Sequence, residues 1–207
     1  LAQVQTFPEA SRSLLRQTVL AAVDALVRER PWPEVTMAQV ASAAGVSRQT
    51  LYNEFGTRDE LVQAYVLWAA EGFLDEVERV VATHDTDLSG ALVAAFGFFL
   101  DTASEHPLLR ALGAATGSEG LHALVATAQG VPIVAGGTDR LTQIVTTTWP
   151  EAPEDDARVL CEVIVRLAIS YLTVPTASAN EATSQVAQSL GPYLAAVEAE
   201  LGPDTCR

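Results

Sequence analysis

The stretch "TMAQVASAAGVSRQTLYNEFGTRDEL", Thr36 to Leu61, narrows the possible folds more than any other part of this sequence. It carries three helix starts in quick succession. Thr36 and Gln39 have the T-x-x-Q spacing of a capping box, in which each side chain satisfies an orphan backbone N–H of the other. Gly45, in "AGVS", is the residue type that accepts the left-handed conformation closing a helix. Ser47 then caps a short helix predicted to run to about Phe55. Thr57 and Glu60 form a second box, which opens a long helix reaching about Thr83. Two short helices around a glycine-containing turn have the proportions of a helix-turn-helix.

The rest of the chain is also periodic at the helical spacing, and strand alternation is scarce, so the fold class expected is all-α. A first helix is predicted from about Glu9 to Glu29, with Leu15, Val19, Ala22, Val23, Leu26 and Val27 recurring every three or four residues; Pro31 and Pro33 end it. In the long fourth helix Leu61, Tyr65 and Trp68 form one apolar stripe, and Val62, Val66, Phe73, Val77 and Val80 form another. A helix apolar on two sides is sandwiched between partners. Further helices are predicted at Leu88 to about Glu105, from Pro107, around Leu121–Ala128, at about Thr138–Thr148, at Glu154–Thr173 and at Glu181–Leu201. "GATGSEG" and "QGVPIVAGG" read as loop-like breaks. The division expected is 1–57 for an N-terminal three-helix module and 58–207 for a C-terminal helical bundle.

Charge separates the same two parts. Residues 1–62 carry six arginines and seven carboxylates, net −1, whereas the remainder carries six and nineteen, net −13. Only the first part can approach a polyanion without strong repulsion. All 12 cationic side chains are arginine, which excludes mechanisms needing a lysine amine, such as a Schiff base or a Walker-type phosphate lysine. Two cysteines, Cys161 and Cys206, make no disulfide framework and fit a reducing cytosol. No run approaches the ~20 apolar residues that span a bilayer, and the N-terminus lacks signal-peptide zoning, so a cytoplasmic protein without membrane association is expected.

Within the helix-turn-helix, Met37, Val40, Ala41, Ala44, Val46, Leu51 and Phe55 can face inward. Ser47, Arg48, Gln49, Thr50, Tyr52 and Asn53 are then left at the solvent side. An α-helix fits the DNA major groove, where Arg grips guanine and Gln or Asn grips adenine. An ordinary solvated helix face has the same polarity, and spacing alone leaves the two readings open.

At this point "VTMAQVASAAGVSRQTLYNEFGTRDELV" resembles the DNA-binding segment of the tetracycline-repressor (TetR) family, most clearly in "T…VA..AGVS..TLY..F..R..L". "RQTVLAAVDALVRE" is similar to that family's first helix. The likeness covers about residues 12–68 and implies a role for each matching position. Thr36 and Ser47 would donate to phosphates. Arg48, Gln49 and Thr50 would sit in the major groove, Arg48 and Gln49 against base edges; Asn53, on the same solvent side, is also expected to bind DNA. Tyr52 would place its hydroxyl on the backbone, and Arg58, where the family usually has lysine, would grip a phosphate. Glu54 departs from the pattern, standing where family members commonly carry His or Tyr. It is read as solvent-facing or ion-paired rather than as an acceptor from cytosine N4.

A single module touches few phosphates, so two copies are expected to read a pseudo-palindromic double-stranded DNA operator. The resemblance implies a homodimer built on the last two helices, which carry Leu160, Ile164, Leu167 and Tyr171, and Val186, Leu190, Tyr193 or Leu194, Val197 and Leu201. Packing within one chain competes for those stripes. Pro192 should kink the last helix. The middle of the chain is apolar: Leu92, Val93, Phe96, Phe99 and Leu100 are expected inward and Phe98 to another side. Leu121, Leu124, Val125, Ile144, Val145 and Trp149 add to that interior. The resemblance implies an inducer pocket there, assigned to Phe73, Leu92, Phe96, Phe99, Leu100, Leu121, Leu124, Ile144, Leu167 and Tyr171. Few polar groups would line it, so the effector expected is a small lipophilic molecule such as a fatty acid. "RLAISYLTVPT" and "SLGPYL" are similar to actinobacterial members that accompany lipid or alkane metabolism.

Arg166 is read as the partner of Glu162 four residues earlier rather than as a buried ligand anchor. His84, His106 and His122 share no metal-ligand spacing, so no metal or cofactor is expected. No nucleophile–base pair stands out, which argues against an enzyme, although Glu154 and Asp155 with a metal are the enzymatic alternative. The function expected is a TetR-like transcriptional regulator, as a repressor released by its effector. The competing reading is a helical lipid-binding or sequestering protein with a vestigial DNA module.

Overall fold

In the computed structural model, the described residues are 6–85, 87–106, 130–174 and 178–201, with side chains to 197. They form eight α-helices and one 3-10 turn: α1 (Phe7–Glu29), the turn Trp32–Glu34, α2 (Met37–Ala43), α3 (Arg48–Phe55), α4 (Arg58–Ala82), α5 (Leu88–Glu105), α6 (Val131–Thr148), α7 (Glu154–Thr173) and α8 (Ala179–Leu201). The fold class is all-α. The helices expected from Pro107 and around Leu121–Ala128 lie outside the described residues, as do Leu121, Leu124, Val125, His122 and Cys206. No helix among the described residues is long and apolar enough to cross a membrane.

The chain forms two compact units, Leu1–Trp68 and Ala69–Arg207. The first unit holds the beginning of α4 because Leu61, Val62, Tyr65 and Val66 are buried in it. Val19, Leu20, Val23 and Val27 of α1, Met37, Val40 and Ala41 of α2, and Leu51 and Phe55 of α3 complete its core, with Trp32 and Val35 between. Full burial of each large apolar side chain contributes roughly 1.5–3 kcal/mol. That core is small, and local caps supplement it. Thr6 is tied to Glu9, Thr36 to Gln39 and Thr57 to Glu60, each pair with the backbone N–H of the first residue donating to the second side chain at 2.7–2.8 Å. A partly buried polar link adds to them: the Tyr65 hydroxyl donates to Asp24 Oδ1 at 2.6 Å, and on its exposed side Arg28 Nε donates to Asp24 Oδ2 at 2.8 Å.

In the second unit α6 packs along α7, and α5 lies against both α7 and α8. Its core gathers Val77 and Val81 of α4, Leu92, Phe96 and Leu100 of α5, Leu141 and Ile144 of α6, Leu160 and Cys161 of α7, and Val186 and Leu194 of α8. Gly97 brings α5 close to Thr183 of α8, where an added Cβ would already touch the threonine Oγ1 at 3.7 Å. Arg140 of α6 joins Asp75 and Glu78 of α4, at 2.9 and 2.6 Å. Trp149 Nε1 donates to the Asp85 carbonyl at 2.8 Å, closing the turn after α6.

Two expectations are corrected here. "QGVPIVAGG" is not a break: α6 starts at Val131, because Pro132 occupies a first-turn position where its missing N–H costs nothing. Gly137 within that helix meets Val165 of α7, with a built Cβ at 3.4 Å, so the glycine serves a close helix crossing. Val93 is 40% exposed rather than inward. With Leu92 and Phe96 both in the core, a residue one step, about 100°, further round the helix turns away from it.

Candidate nucleic-acid interface

The turn between α2 and α3 follows from three residues. Gly45 has φ +67°, a conformation open to glycine at little cost. It lets Val46 N donate to Ala41 O at 2.9 Å and Gly45 N to Ser42 O at 3.2 Å, a Schellman closure of α2. Ser47 then starts α3, its Oγ accepting from Thr50 N at 3.0 Å. Gly56, at φ +70°, ends α3, and a Cβ there would fall 2.3 Å from Glu60 Oε2, inside the capping box of α4.

On α3, Leu51 and Phe55 point into the core. Ser47, Arg48, Gln49, Tyr52 and Asn53 are exposed, and Thr50 is half-buried. The Gln49 amide donates to Asn53 Oδ1 at 2.8 Å, which aligns two groups able to read a base edge along one helix face. The Ser47 and Thr50 hydroxyls share a hydrogen bond at 2.8 Å. The Thr36 hydroxyl donates to Gln39 Oε1 at 2.9 Å and accepts from Gln39 N at 3.3 Å. Both capping hydroxyls are therefore engaged locally in this conformation.

Arg58 lies at the start of α4 with its guanidinium turned onto its own module. Nε donates to Val35 O at 3.1 Å, Nη2 donates to Trp32 O at 2.5 Å, and the group sits 4.4 Å over the Trp32 ring. It ties the 3-10 turn to α4. Glu54 is ion-paired: Arg12 Nε lies 3.0 Å from it and Arg16 Nη1 2.8 Å. Burial opposes ionisation of this carboxyl, but the hydrogen bonds from Arg16 and Arg12 outweigh it and hold its pKa below the usual carboxylate value. Neither Arg12 nor Arg16 stands out in the sequence. Only the anomaly of a carboxylate at position 54 points toward them.

Of the residues assigned to an effector pocket, the described ones fall in the second unit. Phe73 stacks on Phe98 at 5.5 Å and meets Phe99 edge-on at 5.3 Å. Phe96 lies 6.3 Å from Phe99 and edge-on to Tyr171 at 6.0 Å. Leu92, Phe96, Leu100 and Ile144 are buried, while Phe73, Phe99, Leu167 and Tyr171 are partly buried around them. The Tyr171 hydroxyl donates to Gln185 at 2.8 Å. Arg166 pairs with Glu162 at 2.6 Å, both largely exposed. Glu154 and Asp155 are exposed in the first turn of α7, where carboxylates favour the helix dipole. Among the described residues no group of three or more His, Cys, Asp or Glu side chains could hold a metal.

The helices expected to pair two copies use their stripes mainly inside one chain. Leu160, Val186 and Leu194 are core residues, and Ile164, Leu167, Tyr171, Leu190 and Val197 pack against them. Val159 and Val163, one turn apart on α7, and Tyr193 on α8 remain exposed. The Leu201 side chain is not among those described.

Comparison with known proteins bears on both units. Residues 19–65 match the family model described as bacterial regulatory proteins, tetR family, and residues 87–192 match that for a bacterial tetracyclin repressor C-terminal domain. The chain is 35% identical over 187 residues to the HTH-type transcriptional regulator AlkX of Mycobacterium tuberculosis, spanning 90% of this chain and 88% of that protein. Its structure is similar to the crystal structure of AlkX from a Dietzia species, a TetR family repressor implicated in biodegradation of n-alkanes. The TM-score is 0.78 and the identity 34%, covering 87% of this chain and 97% of that one. A tetR-family regulator from Streptomyces coelicolor, 22% identical with a TM-score of 0.52 over 93% of this chain and 87% of that one, shares the fold.

Proposed function

We propose, from the premise that this chain belongs to the tetracycline-repressor family of bacterial transcriptional regulators, that it is a homodimeric repressor whose operator is released by a long-chain lipophilic effector. Its relatives are transcriptional regulators rather than enzymes. The observation that carries the reading is the outward face of α3, where Arg48, Gln49, Tyr52 and Asn53 stand exposed on a helix anchored by Leu51 and Phe55. In a major groove, Arg48 and Gln49 offer bidentate contacts to guanine and adenine. Thr36, Ser47, Thr50, Tyr52, Asn53 and Arg58 flank them as backbone or groove contacts. Thr36, Ser47 and Arg58 exchange their present local hydrogen bonds to do so.

Two copies bring the reading helices to half-sites ~34–36 Å apart, or a multiple of that. For the pairing face we propose the exposed side of α7, with Val159 and Val163, together with Tyr193 of α8. In the second unit, the aromatic set of Phe73, Phe96, Phe99 and Tyr171 favours an elongated apolar effector, a fatty acid or alkane derivative. The likeness to a repressor implicated in n-alkane degradation supports the same class. An effector that prefers the non-operator conformation releases DNA by its differential affinity for the two states.

The test is a titration of purified protein against duplexes from its own upstream region, with and without a saturating C10–C18 fatty acid or alkanol. Arg48→Ala and Gln49→Ala should each cost ~1–3 kcal/mol at the operator and little on scrambled DNA. Operator affinity unchanged by saturating ligand would refute the coupling. Equal affinity for all duplexes would refute sequence reading altogether.

A further inference from the structure

Glu54 is a carboxylate at the end of a helix that faces a polyanion, and simple charge counting makes it a liability. The structure changes that sign. Glu54 is bracketed by two guanidiniums, Arg12 and Arg16 of α1, at 3.0 and 2.8 Å, so the three side chains together carry a net charge of +1. The three differ sharply in exposure: Glu54 is 11% exposed, Arg16 39% and Arg12 67%. The negative member is therefore the covered one. Arg16 is further held with its guanidinium 4.7 Å over the Phe55 ring. Arg12 presents Nε to both carboxylate oxygens, each at 3.0 Å, and among the described residues its two terminal amino groups make no hydrogen bond.

We infer that Arg12 is an additional DNA-phosphate contact of this protein, and that Glu54 is the positioning residue that holds it at the edge of the reading helix. The inference rests on the operator-binding reading above. An α-helix with side chains is about 10–12 Å across and the major groove is about 12 Å wide, so residues at the flank of a seated helix lie beside the phosphate walls. Asn53 is on the exposed face of α3, and Glu54, the next residue, is at its flank toward α1. An arginine clasped there through Nε has its terminal N–H groups free for a phosphate oxygen. Holding the side chain beforehand lowers the ordering cost of that contact.

The experiment measures log K against log salt for the full-length protein, on operator and on scrambled duplex of equal length. Arg12→Gln should weaken both duplexes by the same factor. It should also make the salt slope shallower by about 0.9 per protein copy, so that affinity falls about 3.5-fold less per copy between 50 and 200 mM salt. Arg12→Lys should retain that slope. Glu54→Gln removes a negative charge, yet as loss of an anchor it should weaken binding, and it should have no weakening effect in the Arg12→Gln background. An unchanged slope in Arg12→Gln, or tighter binding by Glu54→Gln in the otherwise native chain, overturns the inference. Should Glu54→Gln fail to fold, the Arg12→Gln and Arg12→Lys slopes decide alone. Arg48→Ala, measured in parallel, separates the two levels: sensitivity at Arg48 without sensitivity at Arg12 sinks only this inference. Insensitivity at both, with no operator preference in the native chain, sinks the DNA-binding reading beneath it.

Discussion

Replacing Tyr65 by Phe tests the packing of the DNA-binding unit at one atom. Tyr65 is fully buried, and its hydroxyl donates to Asp24 Oδ1 at 2.6 Å, joining α4 to α1 across 41 residues of sequence. Phe keeps the ring, so no cavity opens and the change isolates the hydroxyl. A hydrogen bond to a charged acceptor contributes ~1.5–3 kcal/mol. Asp24 keeps Arg28 at 2.8 Å and is 22% exposed, so water can partly replace the lost donor. The expected loss is therefore at the low end, ~1.5 kcal/mol. Urea unfolding at pH 7 reads it as a lower midpoint at unchanged m, with Trp32 and Trp68 reporting from the same unit. The pH dependence gives a second reading. Burial first, and then the Asp24 hydrogen bond, push the Tyr65 pKa up. The folded state thus keeps a proton that the unfolded chain loses above pH ~10. The hydroxyl's contribution is fully present below pH ~10 and declines above it by ~1.4 kcal/mol per pH unit. Native protein should lose its advantage over Tyr65→Phe in that range. A midpoint shift worth less than ~0.5 kcal/mol, or a difference that stays constant to pH 11, would refute the reasoning.

Other substitutions probe separate parts of the chain. Gly45→Ala meets nothing within 4 Å, so its cost is the left-handed backbone alone, ~1–2 kcal/mol by urea unfolding; a neutral result would mean α2 ends differently. Leu194→Ala, at a site 1% exposed, should lower stability by ~2–5 kcal/mol through lost burial and a residual cavity. Burial pushes the Cys161 thiol up to about 11. In a Cys206→Ser chain it should then label with a thiol reagent only as fast as the protein unfolds, and immediate labelling would contradict its place in the core. Since the Glu54 carboxyl is held below its ordinary value, its contribution is present above pH ~4.3 and lost as pH falls through the folded pKa. The stability gap between native protein and Glu54→Gln should close with acidification over that range.

The sequence alone determined what capping chemistry and helical periodicity determine. The boundaries Arg48–Phe55, Leu88–Glu105 and Glu154–Thr173 were legible because the signals that start and stop a helix lie within about four residues of its end. The outward set of Arg48, Gln49, Tyr52 and Asn53 was legible for the same reason, since Leu51 and Phe55 fix the buried side of a short helix. Where a local signal had two meanings the sequence misled: proline and paired glycines in "QGVPIVAGG" mark a loop in one setting, and a helix start and a close crossing in another. Tertiary structure alone decided which faces meet. Arg12 and Arg16 reach Glu54 across 42 and 38 residues, and Arg58 turns onto carbonyls 23 and 26 residues earlier. No periodicity encodes such pairings, because a helix repeats the directions of its own side chains and carries no record of the helix it will pack against. The charge of the candidate interface, a carboxylate made net cationic by two distant arginines, therefore exists only in the folded unit.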